Sequence, residues 1–361
     1  MGTRYDNRVL AARLADFFQV AYQAVSIHIV EIPPGSPCRK QAGWLATARA
    51  MPDTFGIFET GFSVLFDVPE INLGGPGSLV PIRIPGLTTP IDLLIPNSDA
   101  KNTWLYAHHV WKASILLSRL MVIAENDPCA PDVAMGSFKG KTVLELGAGT
   151  GLPSIIAVKL GAQRVVVSDY PDETILKTLS YNMSCNLQGS ASGLWAVAGH
   201  IWGTSTTELL TAGQAPLAIT SSGLTEKVVP SASVPLNGEV LLVNGVVHTL
   251  FDIILLADTF WMEHQHDNLL ADIKSLLSPS GIVWAVAGLH TGISVMRRFF
   301  EKAQRDHGLK VDLAMVVLVP IGSGSGEDIP WNTVPLETIG DIPDTIEERK
   351  RFLFVYRMSW K

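Results

Sequence analysis

The chain predicts an α/β fold, a seven-stranded, mostly parallel sheet with helices on both faces, plus an N-terminal helix and a β-hairpin appendage. Three observations carry that expectation. Strand-like and helix-like segments alternate regularly between residues 142 and 307, and such alternation builds a parallel, doubly wound sheet. Residues 141–170, KTVLELGAGTGLPSIIAVKLGAQRVVVSDY, read as strand, glycine-rich turn, helix and second strand. Hydrophobic content of 47% and a mean hydropathy of +0.26 suit strands covered on both faces.

The elements follow in order. Residues 8–30 read as a helix, with Val9, Leu10, Leu14, Phe17, Phe18 and Ala21 at apolar positions. Residues 31–56 are irregular. Residues 62–99 are punctuated by glycine and proline, and their β-like pieces Phe62–Phe66, Leu79–Ile84 and Ile91–Ile95 suggest the hairpin. A helix is expected over Ala107–Glu125. Strands then fall at 142–146, 164–168, 193–198, 251–257 and 281–287, with helices near 152–160, 172–187, 263–277 and 292–306. Val311–Val319 and Arg351–Ser359 would complete the sheet as an antiparallel C-terminal hairpin. Between them lies a long polar loop containing Gly322 to Gly326. The Ser/Thr/Ala/Gly-rich stretch 204–248 interrupts the alternation and ends in a β-like run, Glu239–Val247, so it reads as an inserted loop plus hairpin. The expected division is an extension over 1–100 and a main domain over 101–361.

Composition narrows the class of function. The net charge of −7 and the lack of a basic run argue against a nucleic-acid partner. Three cysteines without metal-like spacing imply a reducing compartment and no structural zinc. No apolar run reaches bilayer length and no signal-type core is seen, so a cytoplasmic location and no membrane partner are expected. The apolar first helix could form a homodimer contact.

The turn after the first core strand says what is bound. Gly147, Gly149 and Gly151 allow close approach of backbone to a ligand, and Asp169, at the end of the second strand, can chelate a ribose diol. A dinucleotide fingerprint would place a pyrophosphate at the helix N-terminus. Here Glu145 stands two residues before Gly147, and a carboxylate there repels a pyrophosphate but suits a cationic group such as an amine.

The spacing E-x-G-x-G-x-G resembles motif I of class I S-adenosylmethionine (SAM) methyltransferases, and the resemblance extends further. HHVWKAS (His108–Ser114), VLELGAGTGLPSI (Val143–Ile155), VVSDYPDETIL (Val166–Leu176), LSYNMSCN (Leu179–Asn186) and HIWG (His200–Gly203) resemble the family 16 methyltransferases. They are most similar to the fungal branch that includes nicotinamide N-methyltransferase-like and elongation factor 1-alpha N-terminal and lysine methyltransferases. LLADTFWMEHQHDNLL (Leu255–Leu270) matches more loosely. The resemblance implies a Rossmann-like class I methyltransferase fold with SAM as cofactor and S-adenosylhomocysteine as product. It implies that Glu145, Gly147 and Gly149 line the methionine and ribose parts, and that Asp169 holds the ribose hydroxyls. Tyr170 and Trp202 would cover the adenine, Trp111 would close the methionine end, and Asp258 would border the cofactor. Trp111 could equally be a core aromatic and Tyr170 a cap on the sheet edge. Asn182 is as well suited to satisfying buried backbone as to touching ligand.

Relatives place D-x-x-F or D-x-x-Y after the fourth core strand. Here that place reads Asp258-Thr259-Phe260-Trp261, followed by Met262-Glu263. Asp258, Trp261 and Glu263 are therefore the candidate catalytic residues, at the strand ends where open α/β sheets carry chemistry; alternatively Glu263 only complements a helix dipole. Of His264, His266 and Asp267, the two histidines would not share a helix face, and no metal is expected. The altered motif favours N-methylation of a small hydrophobic metabolite. A protein acceptor, such as an elongation factor N-terminus or lysine, and a non-methylating SAM-binding scaffold are the alternatives.

Overall fold

The computed structural model describes residues 72–97, 105–127, 135–188, 194–213, 219–220, 223–224, 240–243, 246–289, 292–319, 331–336 and 351–361. The expected first helix and the piece Phe62–Phe66 lie outside them. The central strands are β5 (Thr142–Leu146), β6 (Arg164–Asp169), β7 (Leu194–Gly199), β12 (Phe251–Ala257), β13 (Leu277–Gly288), β14 (Leu309–Leu318), β15 (Asn332–Val334) and β16 (Phe352–Trp360). The strands numbered between and before these belong to four two-stranded ribbons: β1 (Asn72–Leu73) with β4 (Val110–Trp111), β2 (Leu79–Ile82) with β3 (Ile91–Leu94), β8 (Ile219–Thr220) with β9 (Gly223–Leu224), and β10 (Val240–Val243) with β11 (Val246–Thr249). The main sheet runs β15-β14-β16-β13-β12-β5-β6-β7. Pairing is parallel from β13 through β12, β5 and β6 to β7, and antiparallel where β16 meets β13 and β14. Seven strands match the expectation. β15 adds an eighth at one edge, in the stretch expected to be a polar loop.

Period-two alternation in the central strands feeds two cores. Val143, Val165, Val167 and Leu255 join one cluster; Leu144, Leu146, Val166, Ile254 and Leu256 join the other. The first face is covered by helices α1 (Lys112–Asn126), α2 (Leu152–Lys159) and α3 (Glu173–Asn186). The second is covered by α4 (Thr207–Thr211), α5 (His266–Leu276) and α6 (Ile293–Asp306). β13 starts directly after α5, four residues before the expected strand. Among the described residues no helix is long and apolar enough to cross a membrane.

Helix α1 begins at Lys112, five residues later than the expected start at Ala107. Val110 and Trp111 instead pair antiparallel with Leu73 and Asn72, and Tyr106, just ahead of the expected start, has a left-handed φ of 55°. The partner strand is about 40 residues away in sequence, so local periodicity carried no sign of it.

Two asparagines dock the hairpin. On α3, Asn186 Oδ1 accepts from Asp92 N (3.0 Å) while its Nδ2 donates to Asp92 O (2.8 Å); Asn182 does the same for Leu94 (2.8 and 2.9 Å). Four helical residues rise ~6 Å and two strand residues ~6.7 Å, so an i, i+4 pair matches the ladder of β3. Asn182 also donates to the carbonyl of Thr150 (3.1 Å), in the glycine turn. It therefore satisfies backbone, one of its two anticipated roles.

Arg164 pins both ends of the insertion. It is buried, and its Nε donates to Ala212 O (3.0 Å), Nη2 to the carbonyls of Leu209 and Leu210 (2.8 and 2.9 Å), and Nη1 to Thr249 O (3.4 Å). Its guanidinium lies 4.7 Å from the Phe251 ring centroid. Burial lowers its pKa to about 10, so it stays charged at neutral pH. Arg164→Leu leaves several buried carbonyls without donors and should cost about 3 kcal/mol. Arg164→Lys should recover little, because a single ammonium cannot span the set. Urea denaturation of the three proteins checks this.

Candidate active site

The turn joining β5 to α2 is built from left-handed glycines, with φ of 70° at Gly147, 56° at Gly149 and 77° at Gly151. A Cβ on Gly147 would lie 2.9 Å from Thr259 Cγ2 and 3.2 Å from Trp202 Cζ2, whereas one on Gly149 would meet nothing within 4 Å. The first glycine thus serves packing, and the second opens space for a ligand. Asp169 ties the turn to β6. Its Oδ2 accepts from Gly149 N and its Oδ1 from Tyr170 N, each at 2.7 Å.

These groups border an open cleft with about 910 Å³ of atom-free space. Of the residues anticipated from sequence, Trp111, Gly147, Gly149, Asp169, Tyr170, Trp202, Asp258 and Trp261 line it. Trp111 is held by its Nε1, which donates to Tyr106 O (2.8 Å). Trp202 is held through its loop: Asp272 of α5 accepts from Gly203 N (3.1 and 3.2 Å) and bonds His200 Nε2 (2.8 Å), with both side chains buried. Gly203 has a φ of 80°, and a Cβ there would collide with Asn268, which accounts for the Trp-Gly pair.

Asp258 follows β12 with a φ of 62°; it donates from its N to Val286 O (2.8 Å), and its Oδ1 accepts from Gly288 N (3.0 Å). Asp258 and Tyr106 are the two non-glycine residues with positive φ among those described, and both border the cleft. Such a conformation costs roughly 1–2 kcal/mol, so strain concentrates at this site. Asp tolerates it better than most residues because its short side chain bonds locally.

Two anticipated residues stand elsewhere. Glu145 is buried behind the glycine turn and is absent from the lining. Its Oε2 accepts from Ser154 N (3.0 Å) and from Ser154 Oγ, in the first turn of α2, where a carboxylate complements the helix dipole. Its Oε1 is buried with no hydrogen-bond partner among the described residues. Glu263 is about half exposed, and Arg298 grips it (2.6 and 2.8 Å), holding its carboxyl below the usual range. Glu263 opens a 3-10 turn ahead of α5, so its side chain serves the surface and not the cleft. The structure thus separates it from Asp258 and Trp261. His266 Nε2 bonds Phe260 O (2.9 Å) and Asp267 pairs with Lys302 (2.8 Å); among the described residues no three ligand-type side chains gather as a metal site. The cleft also includes Tyr106 and Gln265, which sequence reasoning passed over, along with His109 and Thr259.

Residues 92–222 match the family described as lysine methyltransferase, methyltransferase family 16. The match covers about a third of the chain and shows what that segment is similar to. Relatives named protein N-terminal and lysine N-methyltransferase EFM7 align with longer parts of the chain. The protein from Cryptococcus neoformans is 29% identical over 61% of this chain and 61% of its own length. That from Gibberella zeae is 31% identical over 48% and 54%, and that from Schizosaccharomyces pombe 30% identical over 50% and 55%. The chain thus spans between about half and three fifths of the length of these relatives. Among solved structures, precorrin-6y C5,15-methyltransferase from Geobacter metallireducens aligns at 9% identity and a TM-score of 0.38, over 70% of this chain and 89% of that one. Ribosomal protein L11 methylase from Lactobacillus delbrueckii aligns at 16% and 0.34, over 68% and 80%. The fold assignment rests on the strand order itself, a parallel doubly wound sheet closed by an antiparallel hairpin, as in the Rossmann-like methyltransferases.

Both acids beside the glycine turn are raised. Burial lifts Glu145 to about 8, the Ser154 hydrogen bonds oppose it, and Asp169 adds to it. Burial lifts Asp169 to about 6 against the N–H donors of Gly149 and Tyr170, with Asp172 adding to the rise. The folded chain therefore holds a proton on Glu145 that the unfolded chain releases above its ordinary value of 4.5. That contribution is complete below pH 4.5 and is lost as pH rises through 8. The share of Glu145 in the unfolding free energy should fall by up to roughly 4–5 kcal/mol over this window, and Glu145→Gln should flatten the profile. Urea titrations at intervals between pH 5 and 8.5 measure it.

Proposed function

We propose that this chain binds S-adenosylmethionine and transfers its methyl group to an amine nitrogen of a protein, either an N-terminus or a lysine. The observation that carries the reading is the convergence of Gly149, Asp169, Trp111, Trp202 and Asp258 on one cleft at the C-terminal ends of β5, β6 and β12, the end where open α/β sheets bind ligands. Each Asp169 oxygen already accepts one backbone N–H and keeps a further lone pair for a ribose hydroxyl. Tyr170 and Trp202 offer flat apolar faces for adenine.

When bound, SAM supplies a methyl group already activated by its sulfonium, so the protein's work is alignment, water exclusion and proton handling. Trp111, Tyr106 and Trp261 keep the reacting end of the cleft dry. Asp258 orients the amine and accepts the proton that nitrogen sheds on forming its new bond to carbon.

The relatives' names support a protein acceptor over the small hydrophobic metabolite expected from the altered Trp261–Glu263 stretch. That expectation leaned partly on Glu263, whose side chain pairs with Arg298 outside the cleft.

Binding should track the ionised form of Asp169, the raised acid that lines the cleft. Affinity for S-adenosylhomocysteine should rise with pH through about 6. Calorimetry across pH 5–9 should show Asp169→Asn removing this limb. At pH 7.5 Asp169→Asn should weaken binding by about 10- to 100-fold, the worth of hydrogen bonds to a charged group. Unchanged affinity would mean that the ribose contact lies elsewhere.

For the reaction itself, radiolabelled SAM should mark purified elongation factor 1-alpha or another protein of a lysate. Asp258→Asn, which tolerates the left-handed backbone, should cut turnover far more than cofactor affinity. Label confined to the metabolite fraction would restore the small-molecule acceptor. Binding without any labelled product would leave a scaffold.

A further inference from the structure

Trp202 stands at the tip of a tight turn, and the group that anchors the turn lies outside the cleft. Trp202 and Gly203 are its central residues. Thr204 closes it, donating to Ile201 O from its N (3.1 Å) and its Oγ1 (2.7 Å). Gly203 takes a φ of 80°, as the third residue of a type II turn does. These bonds fix the turn internally. How it sits against the sheet, and so where the indole points, is left to its anchors.

One carboxylate supplies two of those anchors. Asp272 on α5 accepts from Gly203 N within the turn (3.1 and 3.2 Å) and bonds His200 Nε2 just ahead of it (2.8 Å). His200 N donates in turn to Asp169 O (2.8 Å), so the same residue hangs from the end of β6. Asn268, four residues before Asp272 on α5, fills the space beneath Gly203, and Trp202 Cζ2 lies 3.2 Å from where a Gly147 Cβ would stand. Asp272 is buried and is not among the cleft-lining residues. Burying a carboxylate is costly, and an apolar side chain would cover this face of the sheet without that cost. What the carboxylate provides instead is two directed bonds to one turn.

Resting on the proposed binding of S-adenosylmethionine, we infer that Asp272 is a positioning residue for the cofactor. Through His200 and Gly203 it sets the plane of Trp202 against the adenine, without touching the ligand. Stacking of an indole on a base depends on distance and angle, and a recognition group works only as well as its supports hold it. A turn released from α5 therefore forfeits much of what Trp202 contributes. Loss of Asp272 acts as a partial loss of Trp202, and it has little left to remove once the indole is gone.

A double-mutant cycle, read by calorimetry of S-adenosylhomocysteine binding to the full chain, separates this role from a general loosening of the fold. Trp202→Ala should weaken binding by about 5- to 100-fold, the worth of a base–aromatic stack. Asp272→Ala should weaken it about tenfold when Trp202 is present, but by less than about twofold in the Trp202→Ala background. His200→Phe keeps a ring and removes one of the two anchors. It should show the same pattern at about threefold, and it carries the test if Asp272→Ala does not fold. His266→Leu supplies the contrast: this equally buried residue of α5 bonds Phe260 O (2.9 Å) on the loop after β12, so any loss it brings should be the same with and without Trp202. Equal losses from Asp272→Ala and His200→Phe in both backgrounds, no loss from either, or unchanged binding by Trp202→Ala would each overturn the inference and leave the methyltransferase reading standing. Failure of the unmodified chain to bind S-adenosylhomocysteine would overturn both.

Discussion

The carboxylate of Asp169 holds the site in shape. One oxygen accepts the N–H of Gly149 and the other that of Tyr170, so a single side chain fastens the mobile-prone glycine turn to the end of the neighbouring strand. The rest of the turn is supported from both sides. Gly147 sits flush against Trp202 and Thr259, Gly149 leaves open space, and Asn182 steadies Thr150 from beneath. A buried carboxylate that must bridge two backbone donors is costly to ionise, which is why its pKa lies near 6. The same bonds that fix the turn keep it from rising further.

The cleft is assembled by parts of the chain that share little sequence proximity. The Trp202 loop depends on Asp272, some 70 residues onward; the Trp111 indole depends on the carbonyl of Tyr106; and the Asp258 corner depends on Gly288 of the next strand. Each support is a hydrogen bond to or from backbone, so aromatic rings that would otherwise be free to reorient are set by polar contacts behind them. Rigid supports of this kind put a ligand-facing wall on strands and helix starts, where positions are better defined than on long loops.

Much of this was legible in sequence because it is local. The bounds of β5 and β12 coincide with runs of apolar residues closed by glycine or aspartate, and the glycines, Asp169 and the Trp-Gly pair announce themselves through backbone demands that few residues meet. What escaped was non-local. The β1–β4 pairing shortened α1, and the Tyr106 ring meets the edge-on ring of Trp261 from a distant part of the chain. Glu263 follows Trp261 by two residues yet faces Arg298, because the phase of a short 3-10 turn decides its direction. Glu145 was read as a ligand contact, but its Oε2 is spent on the start of α2.

The asparagine pair on α3 has a consequence beyond docking. A two-stranded ribbon normally leaves the outer rim of each strand with unsatisfied amides, an invitation to another copy of the same chain. Here Asn182 and Asn186 impersonate a third strand for β3, so the ribbon has a sealed border although no further strand pairs there among the described residues. Side-chain amides on a helix thereby give this rim the protection against intermolecular sheet growth that barrels obtain by closing on themselves.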